Sequence, residues 1–194
     1  MEISLYLSQL LTKTAGRNAS SLHLTVGGLP TLRVDDHFEV IESDAIVDLE
    51  TIEKIIEIYL DADEKQRLAE NKSLMTVKNF SNFRFKVSVF YQKKMPSLSF
   101  FYIQPDITTL DELKFPVGLK KFLDLSSGLL VISGPHLSGK SNTAAAFIED
   151  MNRNFNKRII TLEDPIERQF ISKKCIIEQR QVGVDVATYE DGLY

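Results

Sequence analysis

The chain has 194 residues, 43% of them hydrophobic and 26% charged, with a formal net charge of −4 at pH 7. This allows one domain or two small ones with real cores, and it argues against a strongly basic nucleic-acid surface. No apolar run approaches the ~20 residues that cross a bilayer, and the N-terminus lacks a signal-peptide pattern. The single cysteine, Cys175, excludes an intrachain disulfide and a metal site built on cysteines. These features fit a cytoplasmic protein.

Ile3, Leu7, Leu10 and Leu11 share one helical face, and Gly16 and Asn18 end that helix. Leu22, Leu24 and Val26 alternate with His23 and Thr25, the pattern of a half-buried strand on which His23 is an ordinary solvent-facing residue. Leu32 and Val34 begin a second strand, Asp35-Asp36 reads as a hairpin turn, and Phe38 and Val40 continue on the return. Asp48 is placed to cap a helix carrying Ile52, Ile55, Ile56 and Tyr59, and a polar helix follows over about 63–71. Strand-like runs at 73–80, 83–91 and 98–103 complete an α+β domain with an antiparallel sheet.

A linker is expected over 105–113, then short helices near 111–113 and 119–125. Gly128-Leu129-Leu130-Val131-Ile132-Ser133 reads as a buried strand, and Ala144, Phe147, Ile148 and Met151 as the apolar face of a helix. Between them lies Gly134-Pro135-His136-Leu137-Ser138-Gly139-Lys140-Ser141, which fits the phosphate-binding pattern G-x-x-x-x-G-K-[ST]. Glycines let backbone N–H groups close on phosphate oxygens, and the helix start adds its positive dipole end. Lys140 then reaches the β/γ-phosphates and Ser141 ligates Mg²⁺. The nucleotide-binding set is Gly134, Pro135, His136, Leu137, Ser138, Gly139, Lys140, Ser141 and Asn142. His136 within it touches phosphate or faces solvent.

Arg158 to Leu162 reads as another buried strand, ending in Glu163 and Asp164. An acid at a strand C-terminus faces the ligand crevice and can position water or contact Mg²⁺ through water; a charged turn before Pro165 is the plainer alternative. Cys175 reads as a small core residue beside Ile176-Ile177, a further strand, and a helix starts near Thr188. Arg84, Lys86, Lys93 and Lys94 are either a solvated basic face or a charge-stabilising group for phosphate.

Taken together, the chain resembles the type IV pilus retraction ATPases, the PilT and PilU twitching-motility motors of the type II/type IV secretion ATPase family. Ser20-Ser21-Leu22-His23-Leu24 is similar to the family's S-D-L-H-L, followed by Gly28-Leu29-Pro30 and Arg33-Val34-Asp35. Arg84 to Gln92, the Walker A loop at Gly134 to Ser141, the Asp box at Thr161 to Glu167 and Gln179-Arg180-Gln181-Val182-Gly183 carry the rest of the likeness. The chain departs from the family at Ser21 for Asp, Tyr102 for Arg, Leu137 for Gly and Asn142 for Thr.

The resemblance implies an α+β PAS-like N-terminal domain (1–104), a linker (105–113) and an incomplete α/β RecA-like P-loop NTPase domain (114–194) that carries Walker A and the Asp box without Walker B. It also implies ATP and Mg²⁺ as cofactors, with Glu163 and Lys140 catalytic. Arg84, Lys86 and Lys94 become phosphate contacts across a subunit boundary. The partners are its own copies in a homo-hexamer, the inner-membrane pilus platform protein and a paralogous retraction ATPase, with no nucleic acid. The location is cytoplasmic, peripheral at the inner-membrane base of the pilus machine. The expected function is that of an ATP-binding motor subunit coupling hydrolysis to pilus disassembly. The alternative is a truncated or degenerate non-catalytic nucleotide-binding or assembly module of a pilus or type II secretion system. Residues 1–194 alone are expected to be inactive as an ATPase for want of Walker B.

Overall fold

Helix α1 (Ile3–Gly16) forms because Leu7, Leu10, Leu11 and Thr14 recur on one face and are buried together; the Thr14 hydroxyl donates to the Leu10 carbonyl at 2.7 Å rather than remaining unpaired. Helix α2 (Leu49–Tyr59) starts at Asp48, whose carboxylate accepts from the Thr51 N–H at 2.7 Å. Helix α3 (Ala62–Asn71) begins with a reciprocal capping box between Asp61 and Glu64 and stops at Lys72, at φ +57°. The structure, a computed structural model, describes residues 2–42, 44–135 and 138–193.

These helices pack on a six-stranded antiparallel sheet of order β3-β2-β1-β6-β5-β4. Its strands are β1 (Ser21–Thr25), β2 (Thr31–Val34), β3 (His37–Val40), β4 (Ser73–Phe80), β5 (Phe83–Gln92) and β6 (Met95–Ile103). The β2–β3 and β5–β6 turns each set two residues at positive φ, Asp35-Asp36 and Lys93-Lys94, as short hairpin turns require. Leu22, Leu32, Leu98, Phe100, Phe85 and Val89 bury one sheet face against Leu7, Leu11, Ile52 and Ile55. Cutting Phe100 back to alanine there should cost about 3–5 kcal/mol. Alternation sends Phe38, Arg33, Ser21, Phe101 and Lys86, which are consecutive cross-strand partners, to the other face.

His23 lies on that second face, and it differs from a solvated histidine. It is half-buried between the edges of Phe38 and Phe101, with one ring nitrogen 2.8 Å from Ser21 Oγ and the other 2.9 Å from Ser99 Oγ. Strand alternation identified its face but not the neighbouring strands that cover it.

The chain divides into two units, Met1–Gln104 and Pro105–Tyr194. Residues 105–113, expected as a linker, belong to the second unit. Leu110 is fully buried with Leu123, Ala146 and Phe147, and its N–H donates to Asp150 Oδ2 at 3.1 Å. One leucine among polar neighbours carried no periodicity from which to read this. The expected helix at 111–113 is a turn, and a 3-10 helix occupies Val117–Asp124. Helix α4 (Lys140–Asn154) follows the glycine-rich loop. Strands β7 (Arg158–Glu163) and β8 (Ile176–Gln181) form a parallel ladder that sets Thr161 beside Gln179 and Glu163 beside Gln181. Cys175 is buried, and the helix expected from Thr188 is a 3-10 turn at Asp191–Leu193.

The segment 128–133 does not form the expected buried strand. It pairs with no strand among the described residues, and Leu129 and Val131 are 87% and 71% exposed. Apolarity marks a segment suited to a sheet interior, but a strand also needs a neighbour to exchange backbone hydrogen bonds. Here β7 and β8 pair with each other instead.

Candidate functional site

The glycine-rich loop combines tight backbone geometry with a cation. A Cβ on Gly134 would lie 2.7 Å from Ser138 Oγ, so a larger residue there would make the Ser138 hydroxyl turn away. Gly139 takes φ +89° immediately before α4, and no side chain caps the helix start. Among the described residues the N–H groups of Lys140, Ser141 and Asn142 meet no side-chain acceptor, an arrangement suited to an anion. Lys140 Nζ donates to the carbonyls of Gly134 at 3.0 Å and Pro135 at 2.7 Å, so its ammonium is held at the start of the loop. Ser141 and Asn142 occupy the exposed first turn of α4. His136 and Leu137, also expected in this set, lie outside the described residues.

A polar network joins this helix start to Glu163. Asn142 Oδ1 accepts from Arg168 Nη2 at 2.7 Å, and Arg168 Nη1 donates to the Asp106 carbonyl at 3.0 Å. Burial lowers the Arg168 pKa, against a smaller opposing effect of Glu167. The Arg168 carbonyl in turn accepts from Gln179 Nε2 at 2.7 Å, and the same Nε2 donates to Glu163 Oε1 at 2.9 Å. Thr161 Oγ1 gives Glu163 Oε1 a second hydrogen bond at 2.7 Å. Gln179 Oε1 accepts from the Phe170 N–H at 2.8 Å, and Gln181 Oε1 from the Ile166 N–H at 3.2 Å. Both glutamines thus pin the loop that leaves Glu163.

The sequence pattern singled out Lys140, Ser141 and Glu163; Thr161, Arg168 and Gln179 join their surroundings only in the fold. Thr161-x-Glu163 does place two polar residues at period two about Leu162 in β7, but Gln179 lies in the wholly polar run Glu178 to Gln181, where no alternation marks a face. Arg168 sits in a loop, where no periodicity marks it.

In the first unit, Arg84 and Lys86 share one sheet face. Arg84 Nη1 donates to Asn79 Oδ1 at 3.1 Å, burial lowers its pKa, and Lys86 Nζ stands 5.5 Å from the centroid of the Phe101 ring. Lys94 lies in the β5–β6 turn, beyond Gln92 at the far end of β5. At about 3.3 Å per residue it is roughly 25 Å from Arg84 along the strand. The fold brings Arg84 and Lys86 together and places Lys94 elsewhere. Among the described residues no group of three or more His, Cys, Asp or Glu side chains could hold a metal ion, and no helix is long and apolar enough to cross a membrane.

The antiparallel sheet of the first unit and the loop–helix–parallel-ladder order of the second make this a mixed α/β chain. The family described as "Type II/IV secretion system protein" matches residues 6–189, and the chain belongs to it. It is 34% identical to the type IV pilus retraction ATPase PilT of Pseudomonas aeruginosa over 96% of this chain and 54% of that protein. With the type IV pilus ATPase PilU of the same organism it shares 31% identity over 95% of this chain and 48% of that one. A crystal structure of the pilus retraction motor PilT with bound ADP superposes with a TM-score of 0.85 at 29% identity, covering 96% of this chain and 55% of that one. The chain thus spans about half the length of these relatives.

Proposed function

We propose that this chain is the nucleotide-binding part of a motor subunit of the pilus-retraction class, which couples ATP hydrolysis to pilus disassembly. In this reading the first unit is the PAS-like domain and the second the RecA-like P-loop domain. The motor is a cytoplasmic homo-hexamer at the inner-membrane platform, working beside a paralogous retraction ATPase. The carrying observation is the Lys140 ammonium held on the Gly134 and Pro135 carbonyls ahead of the uncapped start of α4. A phosphate entering the loop offers that ammonium a stronger, charged acceptor. The N–H groups of Gly139, Lys140 and Ser141 cradle the phosphates, Asn142 braces the first turn through Arg168, and Glu163 orients the attacking water. The Ser141 hydroxyl is the ligand for Mg²⁺, which neutralises charge on the phosphates. Arg84 and Lys86 supply charge to a neighbouring subunit's nucleotide; Lys94, at the far end of β5, serves a different part of that boundary.

The test is calorimetric titration with an ATP analogue. Lys140→Ala should weaken binding at least ~10-fold, the equivalent of one charge-assisted contact of about 1.5–3 kcal/mol. Equal affinities in wild type and variant would exclude the loop as the phosphate site.

One observation favours a second reading, a nucleotide-binding or assembly module without turnover. Among the described residues of the second unit, Glu163 is held in a two-stranded ladder, and 128–133 joins no sheet. On this second reading the chain should bind nucleotide with little turnover. Lysine-dependent phosphate release by the full gene-encoded chain decides between motor and module.

A further inference from the structure

Glu163 is presented by a strand face on which Thr161 and Gln179 both bond to it. Period two along β7 puts Thr161 and Glu163 on the same side, and the parallel register sets Gln179 of β8 directly beside Thr161. Thr161 Oγ1 and Gln179 Nε2 then converge on a single oxygen, Glu163 Oε1, at 2.7 and 2.9 Å. The orientation of the Gln179 amide is determined by its partners. Its nitrogen faces two acceptors, Glu163 Oε1 and the Arg168 carbonyl, and its oxygen faces one donor, the Phe170 N–H. A flipped amide would lose all three bonds. The two donors, one from each strand of the ladder, hold the carboxylate through Oε1 and leave Oε2 outside both hydrogen bonds.

We propose that Thr161 and Gln179 are positioning residues for Glu163: they fix its carboxylate through Oε1 so that Oε2 orients the water that attacks the terminal phosphate. This deepens the hydrolytic reading above and rests on it. The two residues contact Glu163 from different strands, and only Gln179 also holds the 168–170 loop. Thr161 therefore isolates the positioning effect from any change in that loop.

The experiment measures steady-state ATP turnover and calorimetric ADP affinity for the full gene-encoded chain. Thr161→Val and Gln179→Met should each lower kcat about 10–100-fold, the loss expected from an error of ~1 Å in a catalytic group. KM and ADP affinity should stay within about twofold of wild type, because a contact that matters only in the transition state leaves binding unchanged. Thr161→Ser, which keeps the donor, should restore turnover. In a Glu163→Gln background neither Thr161→Val nor Gln179→Met should lower the residual rate further, because their effect passes through that carboxylate. Thr161→Val with wild-type kcat, beside a Glu163→Gln chain that has lost turnover, overturns this proposal alone. Further losses in the Glu163→Gln background assign the pair a purely structural role and also overturn it. A wild-type chain that binds ADP but shows no Lys140-dependent turnover overturns the hydrolytic reading, and this proposal with it.

Discussion

At the scale of single residues, His23 shows how a fold assigns a charge state. Both ring nitrogens meet serine hydroxyls, at 2.8 Å from Ser21 and 2.9 Å from Ser99, and the ring lies against Phe38 and Phe101. Burial, with a further contribution from the Arg33 guanidinium, holds its pKa below the ordinary 6.5. The folded chain thus prefers the neutral ring, whereas the unfolded chain takes up a proton as pH drops through about 6.5. Stability should therefore be fully present above that pH and should decline below it until the folded ring titrates. Urea midpoints of the wild type, followed by far-UV circular dichroism, should fall from pH 7 to 5, and His23→Asn should remove most of that slope. A slope unchanged by the substitution would place the titrating group elsewhere.

At the scale of elements, α4 is held down by charges on its inner face. Glu149 is buried, and burial alone would raise its pKa; donors from Lys173, Arg153 and Asn152, with the charge on Lys173, outweigh that and hold it below the ordinary 4.5. Its ionised form is thus the folded form, and the stability it contributes is present above pH 4.5 and lost as pH falls through the lower folded value. Glu149→Gln should cost about 1–3 kcal/mol at pH 7, with Lys173 and Arg153 rehydrated rather than stranded. The variant should also unfold with less acid dependence below pH 4.5 than the wild type; parallel acid titrations would argue against this role. None of this was legible in the sequence, because Glu149 sits among Ile148, Asp150 and Met151 without a pattern marking it as buried. What was legible were elements that carry their own evidence. The alternation of Leu22 and Leu24, the caps at Asp48 and Asp61 and the Asp35-Asp36 turn depend on neighbours within a few residues. The 128–133 segment and the Thr161–Glu163–Gln179 cluster depend on which strands lie alongside, and a single sequence does not encode that locally.

At the scale of the whole molecule, the two units differ in how far each buries its own apolar residues. The first unit has a continuous core in which α1, α2 and α3 cover one face of a six-stranded sheet, with Phe85, Phe100, Leu22 and Leu98 at its centre. Among its described residues the second gathers Leu110, Leu123, Ala146 and Phe147 into a smaller buried cluster, with Leu129, Val131 and Ile171 exposed. About 100 residues with a full sheet-and-helix core can fold alone, whereas a small core with large apolar side chains left exposed favours self-association. Residues 1–104 expressed separately should therefore unfold in one cooperative step, with a urea m-value of about 1 kcal/mol/M or more. Residues 105–194 expressed separately should bind a hydrophobic dye and elute from a sizing column as mixed oligomers. A cooperative, dye-free monomer from 105–194 would mean that its apolar surface is covered by contacts the buried cluster does not account for. A non-cooperative 1–104 would mean that the first core draws its stability from outside its own sheet and helices.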